Sequence, residues 1–198
     1  YLEPRLVYTE AAFLTAPTAV EGRRTVHLGI DLFAPAGHGV FAPLDGHVVA
    51  AVKRAGHLDY GGVLVLEHAD GYGTAFFTLY GHLDPDSISH FGPDDAVTSG
   101  QQIGFLGAPA VNGGWQPHLH FQLAPCLPDV TGAPAHDWPG VADADDLAYF
   151  AALYPNPADV LGLAPEPLVY PVAGTAGLQD QRQQQFGANL KLSYRQPI

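Results

Sequence analysis

Two histidines stand one residue apart inside an apolar run, "QPHLHFQL", residues 116–123. On a β-strand, side chains i and i+2 leave the same face. His118, His120 and Gln122 therefore share one face, while Leu119, Phe121 and Leu123 share the other and supply a core. The same alternation runs through "HLGIDL" (27–32). There His27, Gly29 and Asp31 lie on one face and Leu28, Ile30 and Leu32 on the other, with Gly29 leaving space between the imidazole and the carboxylate. Two such polar faces side by side would offer His, Asp and His ligands, a set that holds Zn²⁺ and leaves one position for water. Imidazole and carboxylate suit zinc without a thiolate, and they also accept Co²⁺ or Mn²⁺. His82, in "LYGHLD" (79–84), follows an aromatic strand and a glycine, which suits a supporting or catalytic histidine beside that site.

Each piece is weak alone. A strand histidine is ordinarily on the surface or hydrogen-bonded in a core, HxH is a weak motif, and HxxxD is weaker. On pattern alone, a metal site and a set of structural histidines both remain open. Of the ten histidines, His38, His47, His57, His68, His90 and His136 fall at turns or on expected solvent faces, with His38 and His47 at the rim of a groove. Other chemistries lack their signatures: there is no HExxH helix, no GxSxG elbow and no GxxxxGK[ST] loop.

The bulk numbers narrow the partners. The chain has 198 residues, enough for one domain with a tail. Eight Lys and Arg face 20 Asp and Glu, a formal charge of −12 that disfavours nucleic acid and anionic lipid as partners. No apolar run approaches the roughly 20 residues of a membrane span. The start, "YLEPRLVYTE", lacks the apolar stretch of a signal peptide, which predicts a cytoplasmic location, or a secreted one if a signal has been removed. Cys126 is the only cysteine, so no internal disulfide is expected. The absence of Met and the start at Tyr1 suggest a chain processed or cut from something longer.

Short alternating or apolar runs bounded by Gly, Pro and Asp must position these histidines. They span 25–34, 46–54, 61–69, 73–81, 101–107 and 118–124. This predicts an all-β fold of short antiparallel strands. Residues 1–22 read as a lead-in, 23–124 as the β domain and 125–163 as a loop and short helix packed on it. The helix is expected over 144–154, capped by Asp145 or Asp146 and ended by Pro155. From 164 to 198 no core-forming period is visible, which reads as an irregular tail or linker towards a following domain.

Four stretches together resemble the lysostaphin-type zinc metalloendopeptidases: "HLGIDLFAPAGHGVFAPLDGHVV", "LYGHL", "SGQQIGFLG" and "QPHLHF", in that order across about residues 23–124. The resemblance implies an antiparallel β-sheet or sandwich of the duplicated hybrid-motif type, with a groove and one Zn²⁺ at its floor. It places the metal ligands at His27, Asp31 and His120 and the catalytic histidines at His118 and His82. The implied substrate is a peptide, with peptidoglycan-type peptides as candidates. Two features depart from the family pattern: "APAVNGGWQ" replaces a short Gly/Ser/Thr turn before "PHLHF", and Gln122 stands where Glu is frequent. The tail "FGANLKLSYRQPI" resembles the lead-in to class III, pyridoxal-phosphate-dependent aminotransferases, which would make this chain a module fused to neighbouring enzyme domains.

Two other classes compete. One is a non-catalytic metal-binding or regulatory module of a multidomain cytosolic enzyme, against which the intact His82 and His118 argue. The other is a phosphocarrier with paired active histidines; Asp31 opposes it, because a carboxylate beside a phosphorylated imidazole is repelled.

Overall fold

In the computed structural model of the protein, residues 1–5, 7–8, 10–15, 22–127 and 134–163 are described. The tail at 164–198, with its aminotransferase-like stretch, lies outside the described residues. The strands are β1 (Arg24–His27), β2 (Ile30–Phe33), β3 (Gly39–Phe41), β4 (Gly46–Arg54), β5 (Gly61–Ala69), β6 (Ala75–Leu83), β7 (Ala96–Val97), β8 (Gln102–Phe105), β9 (His118–Ala124) and β10 (Val141–Asp143). Two short helices, α1 (Pro85–Ile88) and α2 (Leu147–Leu153), accompany them. The fold is thus mostly antiparallel β-sheet, as the sequence predicts.

One six-stranded sheet, in the order β2-β9-β6-β5-β4-β7, forms the floor, and β1-β10 and β3-β8 form two small sheets beside it. Its central strand shows why the sequence folds this way. β5 reads as a continuous apolar run because both of its faces are covered. Leu64 and Leu66 enter one core with Tyr80, Ile103 and Phe121. Val63 and Val65 enter the other with Leu28, Leu79 and Trp138. β9 alternates as expected: Leu119 and Phe121 sit in the first core, and the histidines face the opposite side.

The structure corrects several expectations. The run 25–34 is two strands, not one: β1 pairs with β10 and β2 with β9, with a break at Leu28 and Gly29. The segment expected to be a loop after Pro125 contains β10 and the buried Trp138. The helical segment opens with a 3-10 turn over Ala144–Asp146, capped by the side chain of Asp143 accepting from Asp145 N, before α2 begins. His68, expected on a solvent face, is buried; its Nδ1 lies 2.7 Å from Asp45 O and its Nε2 2.8 Å from Thr78 Oγ1. No helix among the described residues is long and apolar enough to cross a membrane.

Candidate metal centre

Strand pairing builds the centre. In the β2–β9 register Asp31 stands opposite His120, and Phe33 opposite His118. The chain break before β2 carries His27 in from the side on β1. The three expected ligands meet. His27 Nε2 is 2.8 Å from His120 Nδ1, and Asp31 Oδ1 is 3.2 Å from each of them. Donors at roughly 2.0–2.1 Å around a tetrahedral zinc stand about 3.3 Å apart, which the two Asp31 edges match, while the His27–His120 edge is shorter at 2.8 Å.

The hydrogen bonds behind the imidazoles test the fit further. His120 Nε2 lies 3.0 Å from Gln122 Oε1, whose amide group in turn donates to Pro139 O at 3.2 Å. An amide oxygen only accepts, so the His120 proton sits on Nε2 and Nδ1 is a bare lone pair. On the far side of His27, Nδ1 lies 2.9 Å from Glu3 Oε1. A carboxylate only accepts, so Nδ1 donates and Nε2 is also bare. Arg5 Nη2 is 3.0 Å from the same Nδ1, but the guanidinium is committed to the stronger, anionic acceptors Glu3 and Asp31. Two bare nitrogens and one carboxylate oxygen, nearly buried, therefore aim at a single point. A proton shared across the 2.8 Å between His27 Nε2 and His120 Nδ1 would satisfy such a set, and the same donors suit a zinc ion.

Burial by itself would raise the Asp31 carboxyl, but His27, His120 and Arg5 outweigh it and hold the group well below the ordinary carboxylate range. Asp31 is thus an anion throughout neutral pH. Burial lowers His120, which keeps it neutral as a ligand must be.

The two other predicted histidines stand beside this triangle. His118 Nδ1 is 2.6 Å from Gln116 O, so it donates there and leaves Nε2 as an acceptor, 3.6 Å from Asp31 Oδ2. Burial lowers its pKa against the pull of Asp31. His82 Nδ1 donates to Asn112 O at 3.0 Å, which again leaves Nε2 as the acceptor. The rings of His82 and His118 are 4.3 Å apart between centroids. Burial, reinforced by His118 and His120, pushes His82 down to about 3, so it is neutral at pH 7. Its backbone holds φ at 63°, an uncommon value for a side-chain-bearing residue, secured by His82 N to Tyr60 O at 2.8 Å and Gly107 N to His82 O at 2.9 Å.

These groups line a cavity of about 950 Å³. Phe33 stacks on His118 at 5.0 Å and forms an exposed wall. Half-buried Trp115 also lines it, edge-on to His82 at 6.1 Å and joined by Tyr8 and Phe13. The unusual "APAVNGGWQ" turn is organised by buried Asn112, which donates to Gly107 O and Trp115 O and accepts from Gly114 N and Trp115 N. His57 also borders the cavity, whereas His38 and His47 are exposed and do not line it. Sequence reasoning gave no site role to Glu3, Arg5 or Tyr8. They sit in a lead-in without periodicity, and only their placement against β1 brings them to the centre.

Comparison with known proteins gives the family. Residues 25–129 match the model of peptidase family M23, and the chain belongs to that family. The DD-carboxypeptidase/endopeptidase Mpg of Neisseria meningitidis is 32% identical over 130 residues, 64% of this chain and 26% of that protein. The cell division protein DipM of Caulobacter vibrioides is 30% identical over 112 residues, 56% of this chain and 17% of that protein. The chain thus spans about a quarter or less of the length of these relatives. The catalytic domain of the antimicrobial peptidase lysostaphin from Staphylococcus simulans superposes with a TM-score of 0.41 at 24% identity, covering 70% of this chain and 87% of that one.

Proposed function

We propose that the protein is a zinc-dependent metallopeptidase that hydrolyses a peptide (amide) bond, with peptidoglycan-type peptides as the substrate class. The observation that carries this is the convergence of His27 Nε2, Asp31 Oδ1 and His120 Nδ1 on one point, beside His118 and His82 in an open groove. Membership of the M23 family and the name of a relative, a DD-carboxypeptidase/endopeptidase, support it.

When bound at these three residues, zinc supplies an acidified water, with a pKa towards roughly 7, and a Lewis acid for the scissile carbonyl. His118 is the general base. Gln116 O fixes its tautomer, so Nε2 takes the proton of the attacking water and later gives it to the leaving amine. Neutral His82 accepts a hydrogen bond at Nε2 from water or from a substrate N–H. With its only proton committed to Asn112 O, His82 acts as an acceptor that orients the water or the substrate N–H beside His118. Phe33 and Trp115 hold the peptide extended across the histidines.

Metal content and peptide hydrolysis, measured together, test the reading. One zinc per chain and chelator-sensitive cleavage of a D-Ala-containing or Gly-rich peptide are expected. Zinc bound without cleavage of any such peptide would leave a metal-binding module, and a protein that takes up no zinc would overturn the proposal entirely.

A further inference from the structure

The segment preceding β1 is built into the metal centre. Leu2 N donates to His27 O at 2.9 Å, His27 N to Glu3 O at 3.0 Å and Arg5 N to Thr25 O at 2.8 Å, so the lead-in runs along β1 as an added strand. This register puts the Glu3 side chain directly behind His27, with Glu3 Oε1 2.9 Å from His27 Nδ1. Arg5 then spans the two acids: its Nε donates to Glu3 Oε1 at 2.9 Å, and its Nη1 pairs with Asp31 Oδ2. Glu3 is itself nearly buried, and the hydrogen bond of His27 and the charge of Arg5 overcome its burial to keep it an anion.

We propose that Glu3 is a positioning residue that fixes the tautomer and orientation of His27, and that Arg5 locks Glu3 to the ligand Asp31. The inference rests on the metal-centre reading of His27. It assigns a role to residues that lie outside the stretch matched to the family, which begins at residue 25.

The physical argument has three parts. A free neutral imidazole populates both tautomers, and only the one protonated at Nδ1 presents a lone pair at Nε2. An anionic acceptor behind Nδ1 selects that tautomer and makes Nε2 a better donor to a metal. His27 needs this help because its neighbours on the metal side, His120 and Asp31, offer acceptors that would otherwise draw the proton to Nε2. Gln122 performs the corresponding service for His120 from within its own strand, with a neutral amide. His27 lies at the end of β1 and has no such strand neighbour, so the lead-in provides one. Arg5 contributes in a second way: by occupying Asp31 Oδ2 it leaves Oδ1 alone to face His27 and His120.

The test uses the full 198-residue chain. Zinc affinity is measured by competition with a chromogenic chelator for the parent, Glu3→Ala and Glu3→Gln. In parallel, the His27 ring nitrogens are read by long-range ¹H–¹⁵N spectra of the metal-free protein. The backbone groups that pair the lead-in with β1 remain in each variant, so the strand itself is retained. Glu3→Ala should weaken zinc binding about 10- to 100-fold. Glu3→Gln, which keeps the acceptor oxygen but not its charge, should recover part of that loss; a merely steric role would predict full recovery. In the parent spectrum the His27 proton should sit on Nδ1, and in Glu3→Ala it should redistribute towards Nε2. Unchanged zinc affinity in Glu3→Ala, or a parent His27 protonated at Nε2, would overturn the inference. If the parent took up no zinc, the metal reading would fall by itself, and the parent spectrum would still decide whether Glu3 controls His27.

Discussion

A methyl group on Gly29 would stand 2.7 Å from Cε1 and 2.9 Å from Nε2 of His120, and 2.6 Å from Phe121 O. The gap that the sequence shows between His27 and Asp31 is thus the seat of the His120 ring. Neither the ring nor the backbone oxygen can yield: the ring is held by Gln122, and Phe121 is fully buried. Gly29→Ala should therefore push His120 out of the triangle. The expected outcome is a stability loss of about 1–3 kcal/mol from overpacking, together with a zinc stoichiometry well below that of the parent. Denaturant melts and metal analysis on the same sample check both. A variant that kept full zinc would place His120 outside the centre.

His118 and His120 are two residues apart on one strand face, yet their replacements should separate cleanly. His120→Ala removes a donor atom from the triangle and should abolish zinc binding. His118→Ala leaves all three donors in place and should retain the metal while hydrolysis falls by roughly 10²- to 10⁴-fold. Equal zinc loss in the two variants would contradict the division of roles.

Part of the arrangement is legible in the sequence because strand alternation is a local rule. β9 obeys it from His118 to Gln122, so the shared polar face of His118, His120 and Gln122 is readable directly. The position of His27 was reached by the same rule applied to a strand that is in fact broken at Leu28 and Gly29. There the shared face arises from tertiary placement: β1 belongs to a different sheet, paired with β10, and approaches β2 from the side. Glu3 and Arg5 are out of reach because their contacts with His27 and Asp31 are set by backbone pairing of Leu2 and Glu3 with His27 and of Arg5 with Thr25, far along the chain, which no periodicity reports. β10 was missed for the same reason. It is three residues long, and among the described residues it pairs with a strand far upstream.

Metal removal should lower stability as well as activity. A ligand that binds only the folded state stabilises it by mass action. With free zinc at about 1,000 times its dissociation constant, the gain is about 4 kcal/mol. Thermal melts should fall on adding a chelator and recover when zinc, and not magnesium, is restored. The nitrogen donors of His27 and His120 are the reason for that preference, because magnesium favours oxygen ligands.

The metal-free protein should also lose stability on acidification, with His82 as a principal cause. Burial lowers this imidazole from 6.5 to about 3. Between those values the unfolded chain binds a proton at His82 that the folded chain does not. Where the unfolded state binds more protons, stability rises with pH, so it must fall as the pH drops from 6.5 towards 3. The slope from one such group approaches about 1.4 kcal/mol per pH unit, and well above 6.5 the group contributes no slope. His118 and His120 are lowered by burial too and act with the same sign. Urea melts of the chelator-treated parent and of His82→Gln at pH 7.5, 6 and 5 isolate the His82 share. The variant should show the shallower decline, because its amide does not titrate. Parallel slopes would mean that His82 takes up its proton in the folded state as readily as in the unfolded one, and that its burial is not what sets its charge.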